Sequence, residues 1–342
     1  MRILLTADPF IPVPPKNYGG IERVIHMLID GYVDEGHEVY LLAHTDSQHS
    51  KLNGRFSWPA VQPQGWEHIQ CMRTIRTVVK KVTPDVIHSF SRFQYLLAVR
   101  DLKHRFILQC YQREISNRTT RLASIVFPEN RLHFAACGKH MLSSEWSHIG
   151  RWHVVPNCTD TQNLTPKTSS GPAHFVFLGR IEPIKGIVEA IALSQKTSTP
   201  LKIAGNVQPE HQTFFEQEVV PHLDGDLITY IGTVNDEEKH ALFTGAKAFL
   251  MLIQWEEPFG IVMAEALSCG VPILALNRGS VPEVVVDGRN GFRADSAEEL
   301  IQKSAQLHTI HSSACRQDAL DRFSISRVAG QYLDILKTGI KG

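Results

Sequence analysis

The feature that most constrains this chain is an alternation of strand and helix signals that halts in a polar stretch and then starts again. Apolar runs of strand length stand at 2–7 (RILLTA), 37–44 (HEVYLLAH), in DVIHSF after Pro84, and at 105–111, 133–138 and 152–157. Helical patterns fill 21–35 and 66–82 between them. Parallel strands need crossover connections, so this order predicts a parallel-sheet α/β architecture. The stretch TDTQNLTPKTSSGP at 159–172 reads as a linker. Beyond it the alternation resumes: HFVFLG, the helix IVEAIALSQ, PLKIAG, a helix around 209–222, LITYIG, the helix NDEEKHALFTG, AKAFLMLI, a helix carrying Glu265, and VPILAL. A long amphipathic helix is expected over 320–338. With 342 residues, 43% of them hydrophobic, two cores can be filled. The expectation is two doubly wound halves, 1–165 and 172–319, meeting in a cleft. In such sheets ligands bind beyond the carboxyl ends of the strands.

Charge narrows the partners. Lys and Arg number 35, Asp and Glu 35, which disfavours bulk attraction to nucleic acid. The balance is uneven, however. Residues 1–167 carry 20 basic and 14 acidic side chains, a surplus of six, and the remainder carries the matching deficit. A basic first half suits an anionic acceptor or an anionic membrane surface, beside the plainer reading of charges scattered over solvated faces. The six cysteines show no zinc or CxxC spacing and several lie in apolar runs, which fits a reducing cytoplasm. The opening MRILLTADPF is too short an apolar run for a signal peptide, and no stretch nears the ~20 apolar residues a membrane span needs.

Three segments carry chemistry. Around 257 the chain reads EPFGIVMAE, with Glu257 and Glu265 eight residues apart. A helix starting near Phe259 would turn the amides of Phe259, Gly260, Ile261 and Val262 outward at its positive end, a natural seat for phosphate oxygens. Glu257 would then reach a sugar hydroxyl and Glu265 a ribose diol. In FLGRIEPIKG at 177–186, Arg180 and Lys185 follow a strand and suit a diphosphate whose charge grows as it departs. Two solvated cations is the plainer alternative. The loop PVPPKNYGGIER places Gly19 and Gly20 before the first helix, where backbone can approach a phosphate or merely turn; Glu22 and Arg23 read as first-turn helix residues.

Together GGIER, GRIEPIKG and EPFGIVMAEALSCGVPILA…GSVPEVVVDGRNG closely resemble the retaining glycosyltransferases of family 4, which have the GT-B fold of two Rossmann-like domains facing a central cleft. The resemblance covers nearly the whole chain and is strongest over 173–300. It implies a nucleotide-diphosphate-sugar donor, with Arg180 and Lys185 on its diphosphate, Glu257 on the transferred sugar and Glu265 on the ribose. Thr233 and Val234 fall where the family seats the base. It implies no bound metal or other cofactor, and a closing helix, about 320–342, that packs back on the first domain. Many relatives have His-x-His where this chain has His88-Ser89-Phe90. His88 is expected at a strand end facing the cleft, beside the alternative of a packed histidine. Phe90 departs from the pattern and puts one sugar contact in doubt, with Ser89, Ser91 or Arg92 as substitutes.

Other candidates carry less. The 17 histidines form no tight metal pattern in sequence, so no metal site is expected. Ser143, Ser144 and Ser268 lack a nucleophile elbow, and Cys269 reads as core. Helix 68–82 sets Arg73, Arg76, Lys80 and Lys81 beside apolar residues. It reads as an ordinary domain helix, or as a peripheral contact with the inner face of a membrane. Acceptor choice is assigned to Lys16–Tyr18, Arg92 and Gln112–Arg118, with the acceptor itself open. The rival functions are a nucleotide-sugar epimerase, a glycan phosphorylase lacking any evident pyridoxal-phosphate lysine, and a catalytically silent sugar-nucleotide-binding subunit.

Overall fold

The computed structural model describes residues 1–16, 19–102, 105–113, 115–142, 147–167, 171 and 173–341. Tyr18, Glu114, Ser143, Ser144 and Pro172, which entered the sequence reading, lie outside them. The chain forms two compact units, Met1–Cys158 with Ile325–Gly342, and Thr159–Ser324. The division falls just before the polar stretch rather than inside it.

The first unit is a seven-stranded sheet in the order β3-β2-β1-β4-β5-β6-β7, every neighbouring pair parallel. Its strands are β1 (Arg2–Thr6), β2 (Glu38–Ala43), β3 (Gly54–Ser57), β4 (Val86–Ser89), β5 (Phe106–Tyr111), β6 (Leu132–Ala136) and β7 (Arg151–Val154). Its helices include α1 (Gly20–Asp34), α2 (Trp66–Val82) and α3 (Asn117–Val126). Strand side chains alternate between faces, and both faces of this sheet are covered. On one, Leu4, Ile87, Ile107 and Phe134 pack with Ile75, Val78 and Val79 of α2. On the other lie α1 and the final helix. These two helices approach so closely that a Cβ on Gly31 would come within 2.6 Å of the Ala329 Cβ.

The second unit is six-stranded and parallel, in the order β10-β9-β8-β11-β12-β13. In chain order its elements are β8 (His174–Leu178), α4 (Ile187–Thr197), β9 (Leu201–Ala204), the short α5 (Gln212–Phe214), β10 (Ile228–Tyr230), α6 (Asp236–Phe243), β11 (Ala246–Met251) and α7 (Ile261–Ser268). There follow β12 (Ile273–Leu276), α8 (Val281–Val284), β13 (Gly291–Ala294), α9 (Ala297–Ser304) and α10 (Ser312–Phe323). Phe175, Phe177, Ile191, Ile203, Leu250 and Leu274 lie at its core. Two expectations are corrected here. The helix expected around 209–222 is broken into 3-10, α and π turns, with Pro221 interrupting its end. The closing helix, α11 (Ile325–Lys341), begins later than 320. Ser324 is extended (φ −63°, ψ 152°) and separates it from α10. Residues 320–324 therefore belong to the second unit and α11 to the first.

Candidate active site

In the second sheet, β8 leads outward to β9 and β10 on one side, and the chain then returns to place β11 on its other side. The loops leaving β8 and β11 thus diverge at the topological switch point, where open α/β sheets bind ligands. GRIEPIKG is the first loop and QWEEPFG the second. They are tied together: the Gln254 amide donates to the Ile184 carbonyl at 2.8 Å. At Gly186 (φ +75°) a Cβ would fall 1.8 Å from the Leu252 carbonyl oxygen, so only glycine allows this approach.

This junction delivers Lys185 to Glu257. The ammonium donates to Glu257 Oε2 at 2.6 Å, with each side chain 15% exposed. Trp255 holds both: its indole N–H donates to the same oxygen at 3.1 Å, and its ring faces the ammonium at 4.8 Å, a cation–π contact. A third loop, after β12, braces the second: Ser280 N–H donates to the Glu257 carbonyl at 3.0 Å and Gly279 N–H to Glu256 Oε2 at 2.7 Å. Arg180 stands on the same loop as Lys185. Its guanidinium pairs with the buried Glu182 at 2.9 Å and donates to Gln208 at 3.3 Å, while His211 flanks Glu182 at 3.5 Å.

Helix α7 begins at Ile261, two residues later than expected, with Gly260 left-handed before it (φ +70°) and no side-chain cap. The first amides of a helix lack intrahelical partners. Phe259 is buried, and Gly260, Ile261 and Val262 are half-buried. Further along, Glu265 is buried and accepts from Lys239 Nζ of α6 at 2.5 Å; Lys239 also pairs with Asp236 at 3.1 Å. Val234 lies in the loop after β10, next to Asn235, which caps α6 in a capping box with Glu238. Cys269 is buried with its thiol pushed up to about 12 by desolvation, then by Glu265, and Ser268 is buried donating to the Leu164 carbonyl. Neither is an activated nucleophile.

Sequence reasoning missed Lys239, Trp255 and Glu182. Trp255 has a signal in hindsight, an aromatic two residues before a carboxylate. Lys239 has none, because its partner lies 26 residues away.

In the first unit His88 requires a correction. It is wholly buried, its Nδ1 lies 3.0 Å from the Tyr32 hydroxyl and its Nε2 3.0 Å from Cys110 Sγ. The alternation of β4 turns Ile87 toward α2 and His88 toward α1 and α11, where its ring lies 4.6 Å from that of Tyr332. Desolvation depresses its pKa to about 3. It is a core histidine, packed on Tyr32, Cys110 and Tyr332. Gly19 precedes α1, and a Cβ there would meet Pro15 at 2.7 Å and Glu22 Oε2 at 2.9 Å; Gly20 opens the helix.

A cavity of about 840 Å³ opens at this unit's own switch point, between β1 and β4. Asp8, Glu22, Phe90, Arg92 and Arg113 help line it. Burial raises the proton affinity of Asp8 and of Glu22. Arg92 donates its backbone N–H to Asp8 at 2.9 Å and lays its guanidinium over Phe10 at 4.8 Å.

Folding also gathers His26, Asp30 and His49, unsuspected in the sequence, with ligand atoms within 4.8 Å of one another. His49 Nδ1 accepts from the Lys51 amide at 3.2 Å, so the neutral ring carries its proton on Nε2, facing Asp30 at 3.6 Å. The Lys51 ammonium lies 2.9 Å from Asp30. A cation would have to displace both, and the group reads as a charge cluster. On α2, Arg76 pairs with Asp101, Lys81 lies over Phe56 and Arg73 over Trp66, which is 58% exposed. Among the described residues no helix is long and apolar enough to cross a membrane.

The fold and the second-unit site define a two-domain α/β protein with a cluster of charged side chains at the switch point of its second sheet. Residues 18–163 match the family model described as Glycosyltransferase Family 4, and residues 161–316 that of Glycosyl transferases group 1. The chain belongs to this glycosyltransferase family and has its GT-B fold of two Rossmann-like domains. Among curated proteins it is 29% identical over 175 residues to an uncharacterized 41.2 kDa protein in the cps region of Klebsiella pneumoniae, covering 48% of this chain and 46% of that one. It is 24% identical over 169 residues to N-acetyl-alpha-D-glucosaminyl L-malate synthase of Bacillus anthracis, covering 46% and 43%. The matched stretches thus span less than half of those relatives' length. Solved structures align throughout: sucrose-phosphate synthase from Thermosynechococcus elongatus (TM-score 0.81, 15% identity, 98% of each chain). HepE of Anabaena in complex with UDP and glucose aligns with TM-score 0.75 at 18% identity, over 98% of this chain and 99% of that one.

Proposed function

We propose that this protein transfers a sugar from a nucleoside-diphosphate sugar to an acceptor hydroxyl, with retention at the anomeric carbon and without a metal ion. The observation that carries the reading is the convergence of Lys185, Trp255 and Glu257 at the β8/β11 switch point, with Arg180 on the same loop as Lys185. A departing diphosphate needs cationic stabilisation. Lys185, Arg180 and the amides at the start of α7 supply it from fixed positions, where preorganised donors are worth more than water. That cationic set takes the part a metal ion would otherwise play.

Glu257 is the sugar-binding carboxylate. Its Oε2 already accepts from Lys185 and from Trp255, which lowers its strength as a nucleophile and argues against a covalent glycosyl intermediate. The step is therefore a front-face exchange. The bond from anomeric carbon to phosphate oxygen breaks, the acceptor oxygen bonds to that carbon from the same side, and the acceptor's proton passes to the leaving diphosphate. Glu265, held by Lys239, is assigned to the ribose, and the loop at Val234 to the base. UDP-sugars are the first donors to test, because HepE, which shares the fold, was solved with UDP and with UDP-glucose. The six buried, unbridged cysteines support work in a reducing compartment.

The test is nucleotide release from a set of UDP-sugars with EDTA present, with and without candidate acceptors, and product anomeric configuration by NMR. Acceptor-dependent release with retention, lost in Lys185→Ala, is expected. Release unaffected by Lys185→Ala, or an inverted product, contradicts the reading.

A further inference from the structure

Of the three carboxylates that pair with cations in the second-unit site, Glu257 and Glu265 have substrate hydroxyls assigned to them. Glu182 has none, and the proposed transfer makes no use of it. It is nonetheless the most deeply buried of the three, 4% exposed, on the loop that carries Arg180 and Lys185. Its side chain does not cap the turn Pro183–Lys185, which has no side-chain cap. No aligned hydrogen bond reaches its Oε1, which meets the Arg180 guanidinium at 2.9 Å as charge on charge. Its Oε2 faces His211 at 3.5 Å. Arg180 is oriented from another side too, since it donates to Gln208 Oε1 at 3.3 Å. What Glu182 adds to Arg180 is a negative charge.

That charge lies behind the cation. The Arg180 side chain is 26% exposed and that of Glu182 only 6%, so an anion arriving from solvent meets the guanidinium first. Lys185 is likewise paired, with Glu257. Arg180 and Lys185 bring two positive charges and Glu182 and Glu257 two negative ones, so these four side chains sum to zero. Unopposed cations would grip the departed nucleoside diphosphate as firmly as they stabilise its departure, and slow product release limits turnover.

We propose that Glu182 is the counter-ion that sets how tightly the site holds its nucleotide: by offsetting the charge of Arg180 it loosens the grip on the diphosphate and lets the product leave. This rests on the transferase reading and adds a control on its donor site. A Glu182 that served to fix the Arg180 fork would act with the opposite sign, and magnitudes separate the two. A carboxylate about 5–6 Å from a phosphate oxygen, with the guanidinium between them, repels it by an amount worth on the order of 10²-fold in affinity at an effective dielectric of about 20. Partial exposure and salt reduce that to about tenfold. Gln in place of Glu182 keeps the shape and an accepting oxygen for Arg180, so the charge is removed and the geometry spared.

Isothermal titration and stopped-flow dissociation on the full chain test this, using whichever of UDP, GDP and ADP the unaltered protein binds most tightly. Glu182→Gln should bind it at least tenfold more tightly, with the gain in a slower dissociation rate. Gln208→Glu sets a second carboxylate on the guanidinium and should bind it at least tenfold more weakly, which keeps the idea testable should Glu182→Gln not fold. Glu210→Gln removes an exposed acid nearby and should stay within twofold of the unaltered protein. Affinity unchanged or weakened in Glu182→Gln, a gain seen only in faster association, no loss in Gln208→Glu, or an equal gain in Glu210→Gln overturns the proposal. Failure of the unaltered protein to bind any of the three nucleotides would instead remove the transferase reading, and this proposal with it.

Discussion

Lys185 and Glu257, 72 residues apart, meet at 2.6 Å because two loops leaving adjacent strands are joined by one backbone hydrogen bond and one glycine. In the proposed transfer this pair supplies a cation for the leaving group and a carboxylate for the transferred sugar. Lys185→Ala should lower turnover by about 10²–10³-fold, the range seen when one preorganised charge-stabilising donor is removed. Glu257→Ala should fall comparably. Trp255→Phe keeps the ring over Lys185 but removes the donor to Glu257, and a loss of no more than ~10-fold is expected. Steady-state kinetics on the three variants check the order.

Lys239 and Glu265 form a buried pair, and removing Lys239 leaves the Glu265 carboxylate without the cation it pairs with. Lys239→Met should destabilise the second unit by about 3–5 kcal/mol, and adding Glu265→Gln should restore part of it. Urea unfolding of the single and double variants measures this. The donor KM should rise in Lys239→Met more than kcat falls, since Lys239 positions Glu265 and touches no reacting atom.

His88 gives the first unit an acid weakness. Its folded pKa, about 3, lies below the ordinary value, so between pH 6.5 and 3 the unfolded chain binds the proton that the folded chain refuses. Stability is complete above pH 6.5 and falls as pH drops through that window, by at most ~1.4 kcal/mol per pH unit for this group. His133, lowered to about 4 by burial and by His153, adds to the slope. His88→Leu should be less stable at pH 8, because the Tyr32 hydroxyl loses its partner, and should lose less on acidification. Denaturant midpoints at pH 8, 6 and 5 report both effects.

The alternation of strands and helices was legible because buried parallel strands are continuous apolar runs bounded by turns. Trp66–Val82 stands in the structure with the limits read from its periodicity. What escaped depended on the fold. Gly54–Ser57 is a four-residue edge strand, too short for a period. Ser324 breaks the closing helix with no Gly or Pro to announce it. GRIEPIKG and EPFGIVMAE could be read as a site because their residue types and spacing carry chemistry. The pairing of Lys239 with Glu265 could not, since no local pattern says what folding brings to either residue. His88 could have been placed better: a residue inside VIHS, a central parallel strand, has helices over both faces.

Gly186→Ala tests whether loop geometry places Lys185. A Cβ there meets the Leu252 carbonyl, and φ +75° costs a non-glycine residue about 1–3 kcal/mol before the clash is counted. A Tm fall of at least ~4 °C is expected with 150–250-residue scaling. Turnover should also drop at temperatures where the variant is still folded, because the loop must move away from Leu252.

A crystal structure with UDP bound tests the central claim most directly. The diphosphate oxygens should lie about 2.7–2.9 Å from Lys185 Nζ and from the Arg180 guanidinium, beside the first amides of α7. A diphosphate bound elsewhere on the second unit, with Lys185 still paired only to Glu257, would contradict the account.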